Sequence, residues 1–190
     1  MTEQTWWFLA RSSGIVAWAT LTASVLWGIV LSTDLFPRHR RPAWLLDLHR
    51  WLAGLTFGFL GLHLGALWAD SYIEFSLADF VIPWHASWKP TAVAFGVMAT
   101  WLVAVVELTS LARKRLSKRT WRMAHLASYL AFAFGGIHGS LAGSDALKPM
   151  YQYSNLLGVS AVVGLALHRA VKGRRARRVI NRPSPVAMAR

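Results

Sequence analysis

Residues 42–69 read PAWLLDLHRWLAGLTFGFLGLHLGALWA, an apolar run whose only ionisable residues are Asp47, His49, Arg50 and His63. As a helix it would reach about 42 Å at 1.5 Å per residue, more than the roughly 30 Å of a bilayer's hydrocarbon core. Four further runs of similar character lie at 14–31, 91–111, 121–141 and 154–171. The first is too long for a signal peptide, and the ten residues at the N-terminus hold Glu3 but no Lys or Arg, so it is expected to be a retained helix. The chain therefore reads as an all-α integral membrane bundle of about five transmembrane helices.

Composition supports the same class. Of 190 residues 55% are apolar and only 15% charged, against about 25% charged in an ordinary soluble domain. The net charge of +13 would raise nucleic acid as a partner if it were spread over one soluble face. It is not. Eighteen of the 21 basic residues fall between the first and second runs, between the third and fourth, after the fifth, or just inside the ends of the runs that border these segments, as Arg50, Arg122 and Arg169 do. Arg11, Lys89 and Lys148 are the other three, and their segments also carry Asp70, Glu74, Asp79 and Asp145. The positive-inside rule then predicts an N-terminus outside and a C-terminus in the cytoplasm. Lipid is the partner that the charge reports, and nucleic acid is excluded. Trp6, Trp7, Trp44, Trp84, Trp88 and Trp121 fall where an aromatic belt would lie. Residues 1–171 form the membrane domain and residues 172–190 a basic tail expected to be disordered. A short interfacial helix is expected around 73–81.

No cysteine is present, which removes disulfides, thiolate-bound zinc, iron–sulfur clusters and cysteine nucleophiles. Histidine carries the chemistry instead. His39, His85 and His168 sit in loops or at a helix end, whereas His49, His63, His125 and His138 lie inside two apolar runs. An ionisable side chain there is costly unless paired or ligated. His49 and His63 are 14 residues apart, about 21 Å along a helix and within about 40° of one face. His125 and His138 are 13 apart, a separation of about 19.5 Å. Their two helices run in the same direction, so His49 meets His125 at the cytoplasmic depth and His63 meets His138 at the outer depth. Two sites with two axial nitrogens each suit two six-coordinate haems; zinc or copper would need further ligands. Thirteen residues turn a straight helix about 140° out of register, and Gly135–Gly136 offers a place for altered winding. Gly54, Gly58, Gly61 and Gly65 on one helix and Gly135, Gly136, Gly139 and Gly143 on the other lean toward close approach of a flat macrocycle, with Phe57, Phe59, Phe132 and Phe134 against its faces; ordinary small-residue helix packing and lipid-facing or core aromatics predict the same residues.

The pattern resembles the ferric-reductase-like transmembrane family, which groups the haem domains of ferric reductases and NADPH oxidases with stand-alone bacterial MsrQ/YedZ proteins. The resemblance rests on Arg11-Ser-Ser-Gly14, His49-Arg50-x-Leu52-Ala53 with His63, Glu107-x-Thr109-Ser110, and Trp121-Arg122-x-x-His125-x-x-x-Tyr129 with His138. It covers roughly residues 6–171. It implies that His49, His63, His125 and His138 bind the iron of two b-type haems. By position, Arg11 at the outer mouth and Arg50 and Arg122 beside the cytoplasmic-depth histidines are the candidates to pair haem carboxylates, with interfacial anchoring the alternative. It implies a donor, either membrane quinol or a soluble flavoprotein carrying FMN. The implied acceptor is ferric iron or an extracytoplasmic partner such as a molybdenum-dependent methionine sulfoxide reductase. Full-length reductases add FAD and NADPH domains; no phosphate-cradling glycine run occurs here, so the chain is expected to conduct electrons rather than oxidise a nicotinamide itself. A non-redox haem sensor or assembly subunit, and a His-pair proton or metal transporter, are the competing classes.

Overall fold

The apolar runs fold as helices; the second starts two residues inside its run and the other four extend beyond theirs, by as many as eleven residues. The computed structural model describes residues 3–33 and 42–180, with side chains over 4–33 and 42–172. In chain order the helices are α1 (Glu3–Ser32), α2 (Trp44–Ala69), α3 (Leu77–Val81), α4 (Pro90–Leu111), α5 (Lys118–Ala142) and α6 (Pro149–Ile180). There is no strand among the described residues. Pro90 opens α4, where its missing N–H would have been unpaired in any case. Ser117 caps α5 by accepting the amide of Thr120 at 3.1 Å.

Five of these helices have 22 residues or more, and four of them (α1, α2, α4 and α6) are long and apolar enough to cross a membrane. The remaining long helix, α5, spans about 37 Å but is less apolar. Its sequence spends positions on His125, His138, three glycines and the basic turn Lys118–Arg122. Two of the residues that dilute its hydropathy, His125 and His138, belong to the site described below.

Two antiparallel hairpins organise the bundle. In the first, α2 runs back along α1: Trp27 Nε1 donates to the Leu45 carbonyl at 2.7 Å near one end, and the Thr20 and Thr56 hydroxyls meet at 3.1 Å at mid-length. The second pairs α4 with α5, the two packing along their lengths. Helix α6 leans on α1, and Val25, Ile29, Phe132 and Val162 form the buried cluster there. Trp18 fills the space beside it, its ring stacked on Phe132 at 5.8 Å and lying against Gly136 and Gly158. Outward faces are apolar, with Trp51 72%, Leu157 72% and Trp68 66% exposed. Lipid solvates such faces and water does not.

At the end of the bundle holding the N-terminus of α1, Arg11 bonds Asp145, Lys148 reaches the same carboxylate at 2.8 Å, and Lys89 donates to the Leu141 carbonyl at 3.1 Å. The bonds from Arg11 first, then Lys148, hold the Asp145 carboxyl below the usual range. In the loop before α4, Asp79 caps α3 through Ser76 and takes His85 Nδ1 at 2.7 Å; these bonds, His85 foremost, lower its carboxyl likewise. The helix expected around 73–81 is only Leu77–Val81, because Ser76 fixes its start. Helix α6 continues through Lys172 to Ile180, into the first half of the basic tail. Arg38, His39, Arg40, Arg41 and residues 181–190 lie outside the described residues.

Candidate functional site

The four intramembrane histidines meet two by two between α2 and α5. The rings of His49 and His125 have centroids 5.9 Å apart at 69°, and those of His63 and His138 are 6.3 Å apart at 76°. The fourteen residues between His49 and His63 place the pairs about 21 Å apart along α2. Apart from these rings, α2 and α5 hardly touch; each is held by its own hairpin partner.

Each ring is anchored from behind. His63 Nδ1 lies 2.7 Å from the Ala10 carbonyl, His138 Nδ1 2.8 Å from the Ala92 carbonyl, and His49 Nδ1 3.1 Å from the Ser24 carbonyl. A carbonyl only accepts, so in these three rings Nδ1 carries the hydrogen. In the neutral imidazole that leaves Nε2 with its lone pair free, the form a metal-binding histidine takes. His125 differs: its Nδ1 is 3.5 Å from the Ser110 hydroxyl, and its ring stacks on Trp121 at 5.0 Å and 25°.

Glycines let the rings lie against neighbouring backbones. A Cβ on Gly14 would come 2.9 Å from His63 Nδ1, one on Gly96 2.8 Å from His138 Nδ1, and one on Gly28 3.2 Å from His49 Cε1. These glycines are on α1 and α4, not on the helices that carry the histidines. The expectation that Gly54, Gly58, Gly61 and Gly65 wall the site is thereby corrected. At 100° per residue they fall on the side of α2 away from His49 and His63, and a Cβ on any of them would meet nothing within 4 Å. Three of the four phenylalanines have other surroundings. Phe132 belongs to the core with Trp18, Phe134 packs edge-on against Phe95 at 5.4 Å, and Phe57 is 48% exposed. Altered winding at Gly135–Gly136 is also unnecessary, since α5 is continuous there. His125 and His138 instead straddle a line of small residues, Ala124, Ser128, Ala131 and Gly135, on the wheel of α5.

The arginines are placed less simply. Arg11 is bonded to Asp145 and stacks over Trp7 at 5.0 Å, one residue from the carbonyl that anchors His63. Arg50 faces Asp47 at 3.1 Å, largely exposed, and Arg122 is exposed. Beside the His49–His125 pair stands a cation the sequence did not single out: Arg113 sits 4.5 Å over the Trp121 ring that stacks on His125. Glu107 is half-buried on α4, with no hydrogen-bond or ion partner among the described residues.

A membrane bundle with two stacked bis-histidine pairs is defined by this geometry. Residues 6–136 match the family described as ferric reductase like transmembrane component, and the chain belongs to that family. The match ends two residues before His138. No curated protein and no solved structure matches the chain.

The family generally binds haem, and the spacing of each pair fits that group. An imidazole nitrogen stands about 2 Å from a first-row metal ion, and the ring centre lies about 1.1 Å further, so two axial imidazoles have centres about 6 Å apart. The observed 5.9 and 6.3 Å agree. Among the described residues no three His, Asp or Glu gather to hold a bare metal ion. Two nitrogens per site leave the equatorial ligands to a macrocycle.

Proposed function

We propose that the chain is a transmembrane electron-transfer protein that binds two b-type haems, one between His49 and His125 and one between His63 and His138. Two imidazole pairs at axial spacing, stacked along two co-directional helices, carry this assignment. Bound haem supplies a one-electron carrier at each pair. The chain's own part is to fix the imidazoles, by carbonyl anchors and glycine seats, so that little reorganises when charge arrives. The apolar walls of α1, α2, α4 and α5 exclude water from the path. The segment Arg113–Arg122, with Arg50 and Arg169, gathers positive charge at the His49–His125 end, so this end faces the cytoplasm of a bacterial plasma membrane by the positive-inside rule. Electrons then enter there from a quinol or flavoprotein donor and leave at the His63–His138 end to ferric iron or an acceptor protein.

Purified chain should contain about two haems b per polypeptide. In proteoliposomes loaded with a reduced dye it should reduce external ferricyanide. Haem-bearing vesicles that never pass an electron would instead point to a sensor or an assembly subunit, and a colourless protein that takes up no haem would end the proposal.

A further inference from the structure

Both anchor helices repeat every fourteen residues. On α1 the acceptor carbonyls are Ala10 and Ser24, and the glycine seats, four residues later in each case, are Gly14 and Gly28. On α4 the outer anchor is Ala92 with its seat Gly96. Fourteen residues further along α4 the equivalent positions are Val106 and Ser110. The fourth seat therefore holds serine where the other three hold glycine.

The contacts follow from that one exchange. A Cβ at a seat crowds the ring, as the 2.8–3.2 Å approaches at Gly14, Gly28 and Gly96 show. His125 makes no bond to the Val106 carbonyl; that carbonyl accepts from Thr109 Oγ1 at 3.2 Å. The ring lies instead along Trp121, with its Nδ1 3.5 Å from the serine hydroxyl, a much weaker contact than the 2.7–3.1 Å carbonyl bonds elsewhere.

We propose that Ser110 is a positioning residue that withholds from His125 the backbone-carbonyl bond its three counterparts share. This rests on the two-haem assignment above. A strong Nδ1–H bond to a carbonyl makes an imidazole a more basic ligand and favours the oxidised metal. With one weakly anchored ring, the inner centre is easier to reduce than it would be with glycine at position 110, which suits the site that receives the electron.

The test is a redox titration of the full-length, haem-loaded chain in nanodiscs, comparing wild type, Ser110→Gly and Ser110→Ala. Ser110→Gly should lower one of the two potentials, reducing that centre's reduction equilibrium constant about fivefold. The other centre should stay put, which also shows that the fold is intact. Ser110→Ala, which keeps the crowding Cβ, should move it much less. Two unmoved potentials in Ser110→Gly, or two equal shifts, would overturn the role of Ser110 while leaving the haem assignment standing. Should the chain bind no haem, the assignment falls, and nitrogen-15 NMR of histidine-labelled chain decides the Ser110 question alone. In Ser110→Gly the His125 Nδ1 signal should join the three carbonyl-bonded ones; a signal that stays apart refutes it.

Discussion

Gly96→Ala should weaken haem binding at the outer site, and the expected size can be worked from three opposing effects. A Cβ at residue 96 would stand 2.8 Å from His138 Nδ1, 2.9 Å from Cε1 and 3.2 Å from Cγ. The whole ring is in the way, so it must swing, and it cannot swing while keeping its 2.8 Å bond to the Ala92 carbonyl. Overpacking costs about 1–3 kcal/mol and the lost bond about 1 kcal/mol net, while alanine gains about 1 kcal/mol as a helix former. The balance is a loss of about 1–3 kcal/mol, roughly 5- to 150-fold in outer-haem affinity. Gly14→Ala should behave alike at His63, whereas Gly28→Ala, whose nearest ring atom is Cε1 at 3.2 Å, should be milder at His49. Gly54→Ala and Gly58→Ala meet nothing and should show only the alanine gain. Haem content per chain, followed during titration with haem and read against thermal unfolding, ranks the five variants. Full outer-site affinity in Gly96→Ala, or haem loss in Gly54→Ala equal to it, would refute the assignment of seats to α1 and α4.

His63→Leu and His138→Leu should each abolish the outer centre's low-spin spectrum and spare much of the inner one; two surviving signals in either variant would show that the pairing is wrong. The Asp145 carboxyl is held below its ordinary value by Arg11 and Lys148. Its contribution to stability is therefore complete above about pH 4 and is lost as pH falls through the depressed folded value. Asp145→Asn should be less stable than wild type at pH 7 and lose less on acidification, so parallel melting curves from pH 7 to pH 3 would count against the cluster. Trp18 Nε1 is buried with no hydrogen-bond partner among the described residues, while its ring packs on Phe132. Trp18→Phe should accordingly stay within about 1 kcal/mol of wild type and Trp18→Ala should lose about 3–5 kcal/mol; equal losses in chemical unfolding would mean that the N–H matters after all.

The helices and the histidine pairing were legible because each rests on a period that one stretch of chain displays by itself. Runs of about twenty apolar residues state their length outright, and His49 and His63 recur on one face of α2 whatever surrounds them. What holds the rings was not legible in the same way, because it belongs to other helices. The glycines of α2 attract notice by lying beside His49 and His63 in sequence, yet a helix presents its residues in all directions, and these four point away. Gly28 and Gly96 lie 21 and 42 residues before the histidines they seat, and a lone glycine in an apolar helix is an ordinary sight. A comparison of intervals would have found part of it: Gly14 and Gly28 are separated by the same fourteen residues as His49 and His63. The antiparallel α1 and α2, which meet at two depths, have to share a spacing, since both rise 1.5 Å per residue. Helix α4 faces histidines thirteen apart, and the residue it brings to His125 is Ser110, fourteen from Gly96 and not a second glycine; there the carbonyl anchor is missing. Arg113 escaped notice for a similar reason, since only the stacking of Trp121 on His125 carries its charge to the pair. The inner centre thus departs from the repeat at its seat, its anchor and its neighbouring cation, while the outer centre keeps the repeat on both helices. Difference between the two centres is built on α4 and in the Arg113–Trp121 stack beside it, and α1 treats its two histidines alike.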